Sequence, residues 1–314
     1  MTRVAGIDCG TNSIRLLIAD VTDEGLVDVD RRMLVVRLGQ GVDATGRLAP
    51  EALERTFAAT REYAEAIQAA GVDRVRFVAT SATRDAENAE EFRTGVAAIL
   101  GVEPEVITGE QEAALSFAGA TSGLQAATDA DLARPYLVVD VGGGSTEFVL
   151  GDVVDGQATV LASRSVDVGC VRMRERRLHS DPATPAEIEA ATADIEAAIS
   201  SAAEVVPIFE ARSLIGVAGT VTTIAAIALG LEKYDPDAIH GSVVPAATVH
   251  DIAARMLTAT RAEREAIGVM HPGRVDVIGA GALVVDRIVA RLGGIDLIAS
   301  EHDILDGITA SIAR

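Results

Sequence analysis

The chain has 314 residues, 49% hydrophobic and 24% charged, with a mean hydropathy of +0.28 and a formal net charge of −20 at pH 7. That length suits two domains that each bury a core. The acidity repels nucleic acid and anionic membrane surfaces, so neither is an expected partner.

The first strand, Val4–Ile7, begins at once, without the apolar h-region of a signal peptide. Apolar stretches are strand-length, which excludes a membrane span. Two cysteines, Cys9 and Cys170, are too few for a disulfide framework or a zinc site, and a reduced, cytoplasmic protein is expected. Lys233 is the single lysine and follows Glu232, so no Walker A loop is present.

In chain order, Val4–Ile7, Ile14–Ala19, Leu26–Val29 and Met33–Leu38 alternate with turns and read as three consecutive antiparallel strands. Pro50 opens an amphipathic helix to Ala70, closed by Gly71. A buried strand Arg74–Ala79, a helix Glu87–Leu100, a short strand Glu105–Thr108 and a helix Glu110–Ala120 complete a βββαβαβα half. Thr121–Arg134, polar and rich in small residues, reads as a linker. Tyr136–Val141, Glu147–Leu150 and Ala158–Val168 predict three more strands, followed by helices at 171–178 and 185–204, a strand Leu214–Ala218 and a helix at 221–229. The βββαβα order repeats, and such repeats outrank local assignments. Further helices are predicted at 247–258, 273–292 and Asp303–Ala313. The expected domains are 1–122 and 123–300, with 301–314 a terminal helix packing back on the first.

Two segments carry the same chemical statement. Gly6-Ile7-Asp8-Cys9-Gly10-Thr11-Asn12-Ser13 and Val139-Asp140-Val141-Gly142-Gly143-Gly144-Ser145-Thr146-Glu147 are each a strand ending in Asp, a Gly-bearing turn and a second strand. Such turns let successive backbone N–H groups converge on an oxyanion, while Asn12, Ser13 and Ser145 add side-chain donors. Asp8 and Asp140 at the strand tips can hold a cation or its water. Taken alone, the first segment reads as an ordinary hairpin, since Asp-x-Gly turns are common. The three glycines of the second cost backbone entropy that only a close approach to the backbone explains.

Val106-Ile107-Thr108-Gly109-Glu110-Gln111-Glu112-Ala113 sets two acids near a helix N-terminus. Glu110 suits capping and dipole compensation, and Glu112 precedes a small apolar face where a carboxylate can point into a cleft. Chemistry alone leaves open which of them orients a water. Arg84 in Thr80-Ser81-Ala82-Thr83-Arg84 follows a buried strand and can clamp a phosphate or lie on the surface. Gly219-Thr220 opens a helix and offers another anion site. Arg164, Arg172, Arg174, Arg176 and Arg177 crowd one stretch, either as a basic path or as a solvated face. The five histidines lack metal-ligand spacing, and Cys170 reads as a core residue.

In this order the segments resemble the exopolyphosphatase/guanosine pentaphosphate phosphatase family of the actin–Hsp70–sugar kinase superfamily, over essentially the whole chain. The resemblance implies an α/β fold of two ribonuclease-H-like (actin-like ATPase) domains with an interdomain active-site cleft. It implies that Glu112, directly before Ala113, is the catalytic carboxylate, with Arg84. Asp140, Asp8 and Glu147 match positions associated with a divalent cation, Mg²⁺ or Mn²⁺. Asn12, Ser13, Arg15, Gly142, Gly143, Gly144, Ser145, Gly219 and Thr220 match the phosphate-binding set.

Long members carry a further helical, HD-like region. The sequence ends at Arg314 before such a region, so short polyphosphate is the expected substrate, with the 5′-triphosphate of guanosine pentaphosphate (pppGpp) as the alternative. Family members often pair, so a homodimer is expected. A kinase with a small acceptor, an actin-like nucleotide switch and a noncatalytic polyphosphate sensor are the competing classes.

Overall fold

A computed structural model describes residues 2–22, 25–128, 132–154 and 156–313. Two compact units emerge, residues 1–119 with 304–314, and residues 120–303.

In the first unit, β1 (Thr2–Cys9), β2 (Ser13–Thr22), β3 (Gly25–Val35), β4 (Arg74–Ala79) and β5 (Glu105–Val106) form one sheet in the order β3-β2-β1-β4-β5. The first three strands pair antiparallel, while β4 and β5 run parallel to β1. This is the ribonuclease-H-like order. Its C-terminal edge collects whatever follows β1, β4 and β5.

The helix Pro50–Ala70 starts at its proline and is closed by Gly71, as the sequence predicts. Its Tyr63 is fully buried and donates a hydrogen bond to the Ile14 carbonyl at 2.9 Å. Phe77 of β4 meets Phe92 of the helix Ala89–Leu100 edge to face, with ring centroids 6.0 Å apart. The helix Ile304–Ile312 returns to the first sheet, where Ile304 and Ile308 pack on Val78 and Ile107, and Leu305 on Leu17 and Ala19. Arg31 on β3 pairs with Asp306 of that helix.

In the second unit, β6 (Tyr136–Val141), β7 (Thr146–Val154), β8 (Gln157–Val166), β9 (Ser213–Val217), β10 (Val243–Val244) and β11 (Leu297–Ala299) take the order β10-β11-β9-β6-β7-β8. Strands β8-β7-β6-β9-β11 repeat the arrangement of the first sheet, with β9 parallel to both β6 and β11. A large apolar cluster joins this sheet to the helices Pro185–Ala203, Ala218–Ala228, Ala246–Thr258 and Ile278–Arg291.

Several expected elements differ. β3 is continuous where two runs were predicted, and Val36–Leu38 leaves the sheet to brace a turn. The helix expected over 273–292 begins at Ile278, after a 3₁₀ turn at Pro272–Arg274. The short strands β10 and β11 carry too few residues to show an alternation. Of the expected linker, residues 129–131 lie outside the described residues, and Leu124–Ala127 form a helical turn.

Candidate active site

In the first unit, three parallel strands deliver three motifs to one sheet edge. After β1 comes the turn Gly10–Asn12, where Gly10 N–H donates to the Ser13 carbonyl at 3.0 Å. Val36 and Arg37 N–H both donate to the Asn12 carbonyl, at 3.0 and 2.8 Å, and Gly39 N–H to the Thr11 carbonyl at 2.9 Å. In a trans peptide the C=O of one residue and the N–H of the next point oppositely. The amides of Asn12 and Ser13 therefore face away from this brace, an arrangement that can receive an anion.

Asp8 is buried, and its Oδ2 accepts two bonds from Arg15, its cross-strand neighbour, at 2.7 and 3.0 Å. The sequence assigned Asp8 to a cation and Arg15 to phosphate; the fold holds them to each other.

After β4, Thr80 N–H donates to the Cys9 carbonyl at 3.2 Å, and the one-turn helix Ser81–Arg84 follows. After β5, Ile107 N–H donates to the Ala79 carbonyl, and Thr108 begins the helix Gly109–Thr121. Thr108 and Gln111 cap that helix reciprocally, Gln111 N–H to Thr108 Oγ1 and Thr108 N–H to Gln111 Oε1. Gln111 thus takes the capping role the sequence offered to Glu110. Glu110 is exposed, whereas Glu112 is 7% exposed. Arg84 Nη1 donates to Glu112 Oε2 at 2.9 Å and to the Ile107 carbonyl at 3.0 Å. Arg84 and Glu112, remote in sequence, thus meet through strands β4 and β5.

The second unit repeats the arrangement. The carbonyls of Gly142 and Gly143 accept from Cys170, Val171 and Arg172 N–H at 2.9–3.1 Å, and Gly144 O accepts from Arg172 Nε at 2.6 Å. All these donors belong to the helix Cys170–Arg176. By the same peptide geometry, the amides of Gly143, Gly144 and Ser145 face away from that helix, a three-amide nest. Gly169 makes this docking possible, because a Cβ there would lie 2.6 Å from Gly143 backbone atoms.

Asp140 and Glu147 stand directly opposite on β6 and β7, both buried on one face, and Ser165 Oγ donates to Glu147 Oε1 at 2.7 Å. Two buried carboxylates side by side repel one another and are suited to a cation between them. Among the described residues no cluster of three or more His, Cys, Asp or Glu could form an all-protein metal site. An oxygen-only pair of this kind fits Mg²⁺, which keeps waters and substrate phosphates as its other ligands.

Gly219 and Thr220 lie inside the first turn of the helix Ala218–Ala228, not before it. Arg274 packs over Gly219, where a Cβ would fall 2.4 Å from its Cζ, and its Nη1 donates to Thr223 Oγ1 at 3.2 Å. Arg274 places a cation at this helix terminus, and sequence reading missed it because it fell within a predicted helix. Three arginines of the basic cluster are engaged within the second unit. Arg172 folds onto the Gly144 carbonyl, Arg174 onto the His179 carbonyl and Arg177 onto Asp194. Burial pushes the Cys170 thiol up to about 11, so it is no nucleophile near neutral pH.

The sequence model of the Ppx/GppA phosphatase family matches residues 17–314. The chain belongs to the Ppx/GppA phosphatase family. Exopolyphosphatase 2 of Mycobacterium tuberculosis is 50% identical, covering 100% of this chain and 99% of that protein. A crystal structure of an exopolyphosphatase-like protein aligns over 99% of this chain and 97% of its own, with TM-score 0.93 and 48% identity. The Ppx/GppA enzyme of Aquifex aeolicus aligns over 99% of both chains, with TM-score 0.78 and 31% identity. In Ppx/GppA terms, every motif quoted from residue 80 onward lies within the matched span, and the Asp8 turn precedes it.

Proposed function

We propose that this protein is an exopolyphosphatase, hydrolysing the terminal phosphoanhydride of short inorganic polyphosphate and releasing orthophosphate. The observation that carries the reading is the buried Glu112 carboxylate, held at 2.9 Å by Arg84 on the sheet edge that also presents the Asn12 and Ser13 amides. The match to Mycobacterium tuberculosis exopolyphosphatase 2 over its whole length supports the same substrate class.

Phosphoryl transfer is mostly positioning and charge neutralisation, so the reaction asks little covalent chemistry of the protein. The amides of Gly143, Gly144 and Ser145 and those of Asn12 and Ser13 bind phosphate oxygens, as do Arg84, Arg15 and the Gly219–Thr220 turn. Glu112 orients a water in line with the terminal phosphorus and accepts its proton. The P–O bond to the bridging oxygen breaks, and the shortened chain leaves with the electron pair of that bond.

Asp140 and Glu147 would hold the divalent cation, while Asp8 stays bound to Arg15. Mg²⁺ or Mn²⁺ held there would neutralise phosphate charge. We further infer a cytoplasmic homodimer, and light scattering tests the dimer.

Orthophosphate release is to be measured with Mg²⁺ from polyphosphates of graded length, beside pppGpp and ATP. Release from short polyphosphate without any acceptor is the expected result. Preference for pppGpp would move the protein to the alternative substrate, and activity requiring ATP and an acceptor would contradict hydrolysis.

A further inference from the structure

The brace behind the Thr11–Asn12 turn has an unusual backbone. Arg37 adopts φ = 51°, the left-handed region, and among the described residues only Ala218 shares that sign without being glycine. A side-chain-bearing residue there is held against its preference, and such strain persists only where neighbours over-determine it. The peptide it distorts is the one that matters, since Arg37 N–H and its neighbour Val36 N–H both donate to the Asn12 carbonyl.

The restraint is Arg55. It projects from the helix Pro50–Ala70 and donates Nε to the Val36 carbonyl at 2.8 Å. Its Nη2 reaches Gln40 Oε1 at 3.2 Å and, at longer range, the Arg37 carbonyl at 3.5 Å. One planar guanidinium therefore ties both ends of the 36–40 loop, a fork geometry that a lysine cannot reproduce.

We propose that Arg55 is a positioning residue for substrate: it keeps Arg37 left-handed, and so keeps the Asn12 and Ser13 amides aimed at phosphate. The inference rests on the reading of that turn as a phosphate site. Arg55 bonds to the loop and acts through it. These amides meet the phosphate in ground and transition states alike, so their misalignment weakens binding more than turnover.

The test is a double-mutant cycle on polyphosphate hydrolysis, with a melting curve for each protein. Arg55→Met is expected to raise KM roughly tenfold with kcat within about threefold. Arg37→Gly alone is expected to stay within about twofold of wild type, because glycine adopts φ = 51° without strain. The combined variant is expected to recover most of the KM lost by Arg55→Met, since a glycine loop no longer needs holding. General loss of stability would not be rescued in this way. Arg55→Lys, which keeps the charge without the fork, serves if Arg55→Met fails to fold, and a raised KM is expected there too.

An unchanged KM in both Arg55 variants overturns the proposal, and so does a combined variant no better than Arg55→Met. The same proteins are compared for tripolyphosphate affinity by calorimetry. Wild type that binds but does not hydrolyse would contradict the enzymatic reading, and the Kd pattern would still decide the role of Arg55. Wild type that does not bind overturns both.

Discussion

Glu112 and Arg84 are defined by each other. Glu112 is almost wholly buried, and Arg84 supplies the charge that makes its burial tolerable. Arg84→Met would leave that carboxylate enclosed without its counter-charge. It is expected to cost about 3 kcal/mol of stability and to raise KM as well, measured by denaturant unfolding and steady-state kinetics. Stability equal to wild type would show that Arg84 is not what makes this burial tolerable. The choice between Glu110 and Glu112 was illegible from helix chemistry alone, because both acids lie in the first turn. Burial separates them, through the Thr108–Gln111 cap that leaves Glu110 in solvent.

At the scale of elements, the Gly142–Ser145 nest depends on the helix that receives its carbonyls. Gly169→Ala drives a Cβ to 2.6 Å from Gly143 backbone, so the turn must shift. A raised KM for polyphosphate of at least roughly tenfold is expected, and an unaltered KM would remove this nest from the site.

The helix Pro185–Ala203 carries a separate, pH-dependent element. Thr184 N–H donates to Glu187 at 2.8 Å, and with the Ser180 N–H it lowers that carboxyl from the ordinary 4.5 to about 2. Because the folded value lies below the unfolded one, the stabilisation is present above about 4.5 and lost as pH falls through about 2. Glu187→Gln is thus expected to be less stable than wild type at pH 7, with the gap in denaturation midpoint closing toward pH 2. A gap independent of pH would contradict the assignment.

Most long elements were legible in the sequence, since Pro50, Gly71, Pro185 and the repeated strand triplets are local signals. β11 and the brace at 36–39 were not, because their identity comes from partners distant in the chain. Likewise the acid-tipped turns were legible as Gly-bearing hairpins between paired strands, but the pairing of Asp8 with Arg15 follows from strand register, and Arg274 reaches Gly219 only through the 3₁₀ turn.

Over the whole molecule, one strand order occurs twice, and each sheet sends its acidic turn and helix termini to the C-terminal edge of its parallel strands. In the first unit the last helix of the chain completes the core. Ile308, fully buried against Val78 and Ile107, is expected to cost about 2–5 kcal/mol when replaced by alanine. Calorimetric melting checks this, and a cost below about 1 kcal/mol would mean that the helix is only loosely docked. No helix among the described residues is long and apolar enough to cross a membrane.

The central claim is that Glu112 activates water for phosphoanhydride hydrolysis. Its most direct test is orthophosphate release from short polyphosphate by wild type and Glu112→Gln, with substrate affinity measured in parallel. A kcat lower by roughly 10²–10⁴ with affinity largely kept is the expected result. Full turnover by Glu112→Gln would contradict it.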